Sequence, residues 1–203
     1  DDRADGYARG EACGGVALRH NDGQMCLLGS AVRQDGRSAS LTAPNGQAQQ
    51  GLLVAALHDA SVSVDTLTLN EAHGTGTALG DPIEAGSLVA AVLSAREVPL
   101  PVGGVKANIG HAEPAAGVTG LLKLVIGVQV SEAAPNAQLR SPNPHVGDSL
   151  HGVACALPVQ LAAFASRCGG VSSFGYAGTI AHAVLRHAEG NRTMAASPAC
   201  LLY

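Results

Sequence analysis

Strand-like and helix-like segments alternate along most of this chain, and their order constrains the fold more than any other feature. Residues 81–95 have apolar side chains at helical spacing, and so does the segment that begins at Pro114. A third helix is predicted at residues 47–60. A chain of alternating strands and helices typically forms an α/β fold with a partly parallel sheet. Strands are predicted at residues 14–19, 26–32, 102–106, 152–157, 169–173 and 179–186, with part of a strand at 64–70 and a helix still open for 179–186.

The two central helices have clear boundary signals. Asp81 is a suitable N-cap, Pro82 fits the first helical position, and Glu84 stands at the third. Pro114 opens the second helix in the same way, and a loop with two prolines is predicted at residues 138–152. The predicted buried face of the second helix consists of Val118, Leu121, Leu122, Val125 and Ile126.

Composition excludes several classes of function. The chain has 203 residues, 46% of them hydrophobic, and a formal charge of −4, which is about one domain with a core of its own. The slight acidity and the lack of Lys/Arg runs argue against nucleic-acid binding. The longest apolar stretch, residues 118–130, is interrupted by Thr119, Lys123 and Gln129, so no membrane span is predicted.

The five cysteines are scattered and form no CxxC pair, which predicts reduced, buried structural thiols in a cytoplasmic protein. The N-terminus has neither Met nor a signal-peptide pattern, and a strand-like run follows within a dozen residues. We therefore expect a fragment of a longer protein.

The cysteines named above as scattered are Cys13, Cys26, Cys155, Cys168 and Cys200.

The first chemically rich loop is EAHGTGTALGDPIE, residues 71–84, between a predicted strand and a predicted helix. His73 stands where a residue at a strand end would point into a cleft, and Thr75 and Thr77 offer hydroxyl groups. The glycine spacing matches neither GxGxxG nor a P-loop, so phosphate binding is not supported. A glycine-rich turn with a surface histidine remains the alternative.

The second loop is VKANIGHAEPAAG, residues 105–117. Lys106 lies close to His111, and a nearby cation disfavours the imidazolium. A neutral imidazole can donate a hydrogen bond to a developing oxyanion. The alternative is that Lys106 is solvated and that Glu113 merely favours the start of the following helix.

The third loop is GGVSSFGYAGTIAH, residues 169–182, which is dense in small residues. Ser172 is not a hydrolase nucleophile of the GxSxG type, because Phe174 stands where that motif needs glycine. The eight histidines show neither HxxxH nor HExxH spacing, so no metal site is predicted.

Taken in order, the three loops resemble the motifs HGTGT, K-x-N-I-G-H and G-V-S-S-F-G-x-G-G-T-N-A-H of the β-ketoacyl synthases. GSAVRQDGRSASLTAPNGQAQQ at residues 29–50 and DGYARGEACG at 5–14 resemble modular polyketide synthases. The resemblance covers residues 1–187, and residues 188–203 are predicted to form a weakly structured tail. It implies the thiolase-like α-β-α-β-α sandwich, represented here by the end of the first half and the complete second half.

The resemblance implies decarboxylative Claisen condensation in polyketide or fatty-acid synthesis, and the RQDG run at residues 33–36 favours polyketides. In this chemistry an acyl group is held on a cysteine in the first half of the domain. A malonyl-type extender on the phosphopantetheine of an acyl carrier protein loses carbon dioxide and attacks that acyl group. No directly bound cofactor is expected. The implied partners are the carrier protein, the N-terminal half of the same domain and a second copy in a homodimer.

Site roles follow from the same motifs. His73 and His111 resemble the paired histidines that bind the extender's thioester carbonyl and stabilise its enolate, and Lys106 resembles the lysine that organises the site. Asp81 and Glu84 match acidic positions near that lysine.

Four further positions have supporting or binding roles by resemblance. Thr75 and Thr77 match the hydroxyls that contact the phosphopantetheine arm. Tyr176 stands at the gate position, whose backbone N–H completes an oxyanion hole, and Glu113 is a further supporting residue beside the second histidine.

Two departures from the family pattern matter. Ile180 replaces an asparagine of the third motif, so a polar side chain that orders the loop is lost. No T-A-C-S-S motif is present, so no nucleophile is assigned in this chain, and the chain in isolation is expected to be inactive. The alternative function is an inactive ketosynthase-like fragment that serves only as a binding or dimerisation module.

Overall fold

The computed structural model describes residues 1–20, 24–37, 43–165 and 167–188. Residues 21–23, where the Asn-Asp-Gly sequence predicts a turn between two strands, lie outside these ranges, and so do residues 189–203 of the predicted tail. The helices are α1 (Gly46–Asp59), α2 (Gly80–Ala91), α3 (Lys106–Ile109), α4 (Ala116–Val130) and α5 (Pro144–Leu150). The strands are β1 (Met25–Gln34), β2 (Leu69–Glu71), β3 (Leu100–Gly103), β4 (Glu132–Ala133), β5 (Cys155–Ala156), β6 (Ala162–Ala163), β7 (Cys168–Phe174) and β8 (Thr179–His187).

Within the described residues, six strands form one mixed sheet in the order β1-β8-β7-β2-β3-β5. The pairs β2–β3, β2–β7 and β3–β5 are parallel, whereas β8 is antiparallel to both of its neighbours. The carboxyl ends of the parallel strands β2, β3 and β7 therefore meet at one edge. Such an edge is where α/β folds place their binding residues.

Helices cover both faces of this sheet. On one face, α1 and α2 pack against a core that contains Leu53, Leu88 and Val184. On the other, α4 packs against Leu69 and other side chains of the second core. Val184 and Leu185 of β8 pack in opposite cores, because successive side chains of a strand point to opposite faces. The result is an α-β-α arrangement with α4 directly beneath the strands that end at the edge.

Helix α4 differs from its sequence-based expectation. Its buried residues are Ala116, Gly120, Leu124, Gly127 and Val128, whereas Leu122 and Ile126 of the predicted buried face are 41% and 60% exposed. Two glycines lie in this stripe because the helix packs close against the sheet, where a Cβ at Gly127 would lie 2.8 Å from Leu69. The stretch Glu113–Val130 is long and apolar enough to cross a membrane. A core helix passes the same test, so length and composition are weak support for a span.

Most predicted elements are confirmed, with shifted ends. The segment at residues 179–186 is a strand, not a helix. Residues 14–19 belong to none of the strands in the described part of the chain, and all six of them are exposed. The strand predicted at residues 102–106 ends at Gly103, and Lys106 already begins α3. The loop predicted at residues 138–152 contains α5, whose Asn143 N-cap accepts a hydrogen bond from the backbone N–H of His145.

Candidate functional site

Two histidines from separate loops meet in one cleft at this edge. His73 follows β2, and His111 follows α3. Their ring centroids are 5.8 Å apart, with the ring planes 86° to each other. Both line a cleft of about 800 Å³. The structure thus brings together two predicted site residues that lie 38 positions apart in sequence.

The ring of His73 has a defined orientation. Its Nδ1 accepts a hydrogen bond from the backbone N–H of Phe174 at 3.2 Å, and the two rings are 5.2 Å apart. A neutral imidazole has one donor and one acceptor nitrogen. The proton therefore lies on Nε2. Burial lowers the pKa of His73 to about 3, assisted by the charges of Lys106 and His111, so the ring is neutral at pH 7. The alternative of a surface histidine on a glycine-rich turn is not supported.

His111 holds the same tautomer by a different contact. Its Nδ1 accepts from the backbone N–H of Glu113 at 2.8 Å, which again leaves the proton on Nε2. Glu113 adopts a φ of 45°, a left-handed conformation that costs a non-glycine residue about 1–3 kcal/mol. Burial lowers the pKa of His111 and the charge of Lys106 lowers it further, although Glu113 acts in the opposite direction. The geometry provides two neutral N–H donors in one cleft.

The N-terminal segment holds the loop of His111 in place. The backbone N–H of His111 donates to the carbonyl of Ala8 at 2.8 Å, and Gly10 N–H donates to the carbonyl of His111 at 3.0 Å. The ring of Tyr7 lies 4.6 Å from the imidazole. Arg9 forms an ion pair with Glu113 at 3.4 Å on the exposed side. Residues 7–10 of the DGYARGEACG segment are therefore part of the site.

Lys106 contacts His73, whereas the sequence predicted that it lies close to His111. Its Nζ lies 3.5 Å from Nδ1 of His73 and donates to the carbonyl oxygen of His73. Its charge nevertheless acts on both rings and lowers the pKa of each. Lys106 is part-buried, so a solvated position is wrong. Burial lowers its pKa, which the carboxylates of Glu84, Glu71 and Asp81 oppose.

Asp81 and Glu84 bind the HGTGT loop and do not cap α2. The helix begins at Gly80, so both residues lie inside its first turns, and the N-cap predicted for Asp81 is wrong. Glu84 accepts from the backbone N–H of His73 at 2.7 Å and from that of Gly74 at 2.8 Å. Asp81 accepts from Gly76 N–H at 3.0 Å. Burial raises the pKa of Glu84 to about 7.

The two threonines of HGTGT contact each other. Their hydroxyl oxygens are 3.1 Å apart, and the Oγ of Thr77 accepts from the N–H of Gly80 at 3.2 Å. Thr75 lines a second cavity of about 510 Å³ on the side of Asp81 and Glu84, and neither threonine lines the histidine cleft. Contact with a phosphopantetheine arm remains a prediction.

Tyr176 lies at the rim of the cleft with its side chain 85% exposed. The loop around it is ordered by the backbone, because Gly175 N–H donates to Thr179 at 2.7 Å and Gly178 N–H donates to Gly175 at 2.9 Å. Ile180 is fully buried in β8. At the position where the family pattern has asparagine, this chain therefore has an apolar side chain that is buried in the core beside the loop.

The described cysteines lie away from the histidine cleft. Cys168 is buried, and Cys155, which lines the second cavity, has its pKa raised to about 11 by burial. Cys13 and Cys26 are exposed, so the prediction of buried thiols is wrong for these two. Among the described residues, no three His, Cys, Asp or Glu side chains are grouped as a metal site requires.

Sequence reasoning missed two charged residues beneath the site. Glu71 is 2% exposed and pairs with Lys123 of α4. A signal for this pair existed, because Lys123 is the one charge within the apolar stretch of residues 118–130 and Glu71 stands two positions before His73. The role of the Phe174 backbone N–H had no sequence signal, since any residue other than proline supplies it.

Comparison with known proteins places this site in a family. Residues 25–140, more than half of the chain, match the family described as β-ketoacyl synthase, C-terminal domain. The chain belongs to the β-ketoacyl synthase family. Relatives include a phenolphthiocerol/phthiocerol polyketide synthase of Mycobacterium tuberculosis, 42% identical over an alignment of 201 residues that covers 93% of this chain and 11% of the relative. The highly reducing polyketide synthase cm3B of Cordyceps militaris is 41% identical over 91% of this chain and 8% of its own length.

Solved ketosynthase domains share the fold. The oxazolomycin ketosynthase domain OzmH KS7 of Streptomyces albus JA3453 has a TM-score of 0.77 and 33% identity, covering 86% of this chain and 32% of that domain. The ketosynthase from module 6 of the bacillaene synthase of Bacillus subtilis 168 has a TM-score of 0.75 and 29% identity, covering 82% and 31%. The fold of this ketosynthase chain is therefore thiolase-like, as expected. The chain spans about a third of these domains and about a tenth of the polyketide synthases.

The ketosynthase sheet also buries a third histidine, which makes a testable contribution to acid stability. His182 is 2% exposed, its Nδ1 lies 2.9 Å from the hydroxyl of Ser172, and burial lowers its pKa to about 4. Between its unfolded pKa of 6.5 and this value, the unfolded chain binds a proton that the folded chain does not. Stability contributed by His182 is therefore lost as pH falls through this window.

We expect His182→Gln to remove this component. The free energy of unfolding of the variant, measured by urea denaturation from pH 6.5 to 4.5, should fall less steeply than that of the unmodified chain. The difference between the two slopes should be about 1.4 kcal/mol per pH unit. Val54→Ala, at an exposed and non-titrating position of α1, is the control and should leave the slope unchanged. Parallel slopes for His182→Gln and the unmodified chain would contradict the neutral, buried state of His182.

Proposed function

We propose that this chain supplies the extender-handling part of a polyketide synthase ketosynthase, which catalyses decarboxylative Claisen condensation. The observation that carries the proposal is the pair of neutral imidazoles in one cleft. Each of them has Nδ1 occupied by a backbone N–H and Nε2–H available as a donor. Family membership and the similarity to polyketide synthases support the same reaction.

The chemistry needs donors where negative charge develops. The Nε2–H groups of His73 and His111 donate to the thioester carbonyl oxygen of a malonyl-type extender. Cleavage of the bond to the carboxylate releases carbon dioxide, and its electron pair forms an enolate whose oxygen these donors stabilise. The enolate carbon then attacks the acyl thioester on the catalytic cysteine. A carbon–carbon bond forms, and the cysteine sulfur leaves as thiolate.

Neutral imidazoles suit this task. A protonated His73 would have to lose its hydrogen bond from Phe174, because both ring nitrogens of an imidazolium are donors. Burial and Lys106 disfavour that state, so the tautomer is set before substrate binds. Donors that are already oriented cost no reorganisation during the reaction.

The remaining site residues have supporting roles in this proposal. Lys106 organises the site, and Glu84 fixes the backbone at His73 and Gly74. Glu113 holds the ring of the second histidine through its backbone. Asp81 orders the HGTGT loop, Thr75 and Thr77 contact the phosphopantetheine arm, and Tyr176 gates the cleft with its backbone N–H in the oxyanion hole of the acyl-cysteine.

We further propose that the extender arrives on the phosphopantetheine of an acyl carrier protein. No directly bound cofactor is needed. The acyl group is held on a cysteine from the preceding half of the domain, in a cytoplasmic homodimer. The proposal draws on the polyketide synthases that this chain matches.

The test uses the complete domain, produced with the part that precedes this stretch and incubated with malonyl carrier protein and an acyl thioester. We expect release of carbon dioxide together with formation of a β-ketoacyl product. The carbon dioxide is measured by ¹⁴CO₂ counting and the product by mass spectrometry. A correctly folded domain that binds the carrier protein and releases no carbon dioxide would contradict the proposal.

That second outcome matches a non-catalytic candidate, a ketosynthase-like module that only binds or dimerises. One observation favours it: none of the described cysteines lines the histidine cleft. Carrier-protein binding without turnover in the complete domain would support it.

A further inference from the structure

Glu71 is a buried carboxylate close in the fold to the segments that carry His73, Lys106 and His111. It ends β2, two positions before His73, and is 2% exposed. A carboxylate this deeply buried is expensive unless each oxygen has a partner. Both oxygens do have one, and the two partners come from different elements.

The first oxygen contacts the backbone that carries Lys106. Oε1 accepts a hydrogen bond from the backbone N–H of Val105 at 2.5 Å, one residue before Lys106. The position of Lys106 relative to β2 is therefore fixed by a charge-assisted bond, which is roughly twice as strong as a neutral one.

The second oxygen contacts the helix that follows His111. Oε2 forms an ion pair with Nζ of Lys123 in α4. The backbone of β3 also passes close by, since a Cβ at Gly103 would lie 2.8 Å from that Nζ. A side chain at Gly103 would displace the ammonium, so the strand leaves room for this pair.

We propose that Glu71, with Lys123 as its counter-ion, is a positioning residue that fixes His73, Lys106 and the helix after His111 relative to one another. This inference rests on the proposed function of those three residues. The carboxylate joins the chain before His73, the chain before Lys106 and the helix after His111 within one set of contacts.

Stability alone does not account for such a pair. Desolvation of two buried charges often offsets their attraction, and apolar replacements of similar volume are frequently neutral or stabilising. An apolar pair would fill the same space without tying β2 to Val105 and α4. The carboxylate of Glu71 also opposes the effect of burial on the pKa of Lys106.

The substitution Glu71→Gln separates these contacts, because an amide has a single oxygen. If that oxygen accepts from Val105 N–H, the amide N–H₂ faces the Lys123 ammonium, and the reverse orientation leaves Val105 facing a donor. One link is therefore broken in either rotamer. The double substitution E71L/K123M removes both links and both charges, and it serves as the variant with the better prospect of folding.

The experiment measures ring tautomers in the full 203-residue chain. With ¹⁵N-labelled histidine, the ring ¹⁵N shifts of His73 in the unmodified chain should report the Nε2–H tautomer. In E71Q and in E71L/K123M we expect the tautomer ratio of His73 to drop about fivefold, because a displaced ring loses the hydrogen bond from Phe174 N–H that favours the Nε2–H tautomer. Leu57→Ala, in the core on the opposite face of the sheet, is the control for general destabilisation and should leave the ratio unchanged.

A His73 ratio that falls in the Glu71 variants and not in Leu57→Ala supports positioning. Folded E71Q or E71L/K123M with an unchanged ratio overturns it, as does an equal fall in Leu57→Ala. If E71Q does not fold, E71L/K123M decides. The readout is independent of turnover, so absence of decarboxylation in the complete domain would refute the proposed function and leave this test standing.

Discussion

Replacing His111 with alanine in the complete domain is expected to lower decarboxylation of the malonyl extender by about 100- to 1,000-fold, the usual effect of losing one oxyanion donor. His73→Ala should have a similar effect, because each ring contributes one Nε2–H to the same cleft. Carbon dioxide release under saturating extender is the measurement. The loss should appear in kcat, since these bonds strengthen as charge develops on the oxygen.

Acylation of the catalytic cysteine is the internal comparison. It should change much less, because the proposed oxyanion hole of that step is the backbone N–H of Tyr176. Mass spectrometry of the acylated domain follows it separately. His58→Ala, at an exposed histidine of α1, is the matched control and should leave both steps unchanged. Equal loss of acylation and decarboxylation in the His111 variant would contradict the division of roles.

The sequence identified the site histidines at the sheet edge, but it did not predict the contacts that orient their rings. His73 and His111 can be found from sequence because glycine-rich loops follow strands, and the carboxyl ends of parallel strands meet at one edge. Neither tautomer can be read from the residues, because each depends on a backbone N–H that the fold supplies. Phe174 is 101 residues from His73, and that contact exists only because β7 lies beside β2.

Local rules failed where tertiary contacts override them. Asp81 satisfies every local requirement of an N-cap, yet its carboxylate accepts from Gly76 because the HGTGT loop folds back over the helix. The apolar period of α4 points to Leu122 and Ile126, but the helix buries the stripe that contains Gly120 and Leu124 instead, because glycine lets the helix pack closely on the sheet. Sequence proximity pairs Lys106 with His111, whereas the lysine side chain extends toward the end of β2.

Condensation by the 203-residue chain alone is expected to be undetectable, even with acyl thioester and malonyl carrier protein in excess. The reaction needs an acyl thioester held within reach of the enolate carbon. The described cysteines lie outside the histidine cleft, and Cys155 has a pKa raised to about 11, which keeps it protonated at pH 7. Decarboxylation needs only the two histidine donors, so its loss in the isolated chain should be smaller than the loss of condensation.

The comparison is between the isolated chain and the complete domain, with product formation followed by mass spectrometry and carbon dioxide release by ¹⁴C counting. If the isolated chain retains some histidine-dependent decarboxylation while forming no carbon–carbon bond, the result supports a site whose histidines and catalytic cysteine come from different parts of the domain. Cys155→Ser is the control for any adventitious acyl acceptor, since its thiol lines the second cavity. A β-ketoacyl product from the isolated chain that survives Cys155→Ser would contradict the assignment of the nucleophile to the preceding half, because another group in this chain would then be carrying the acyl thioester.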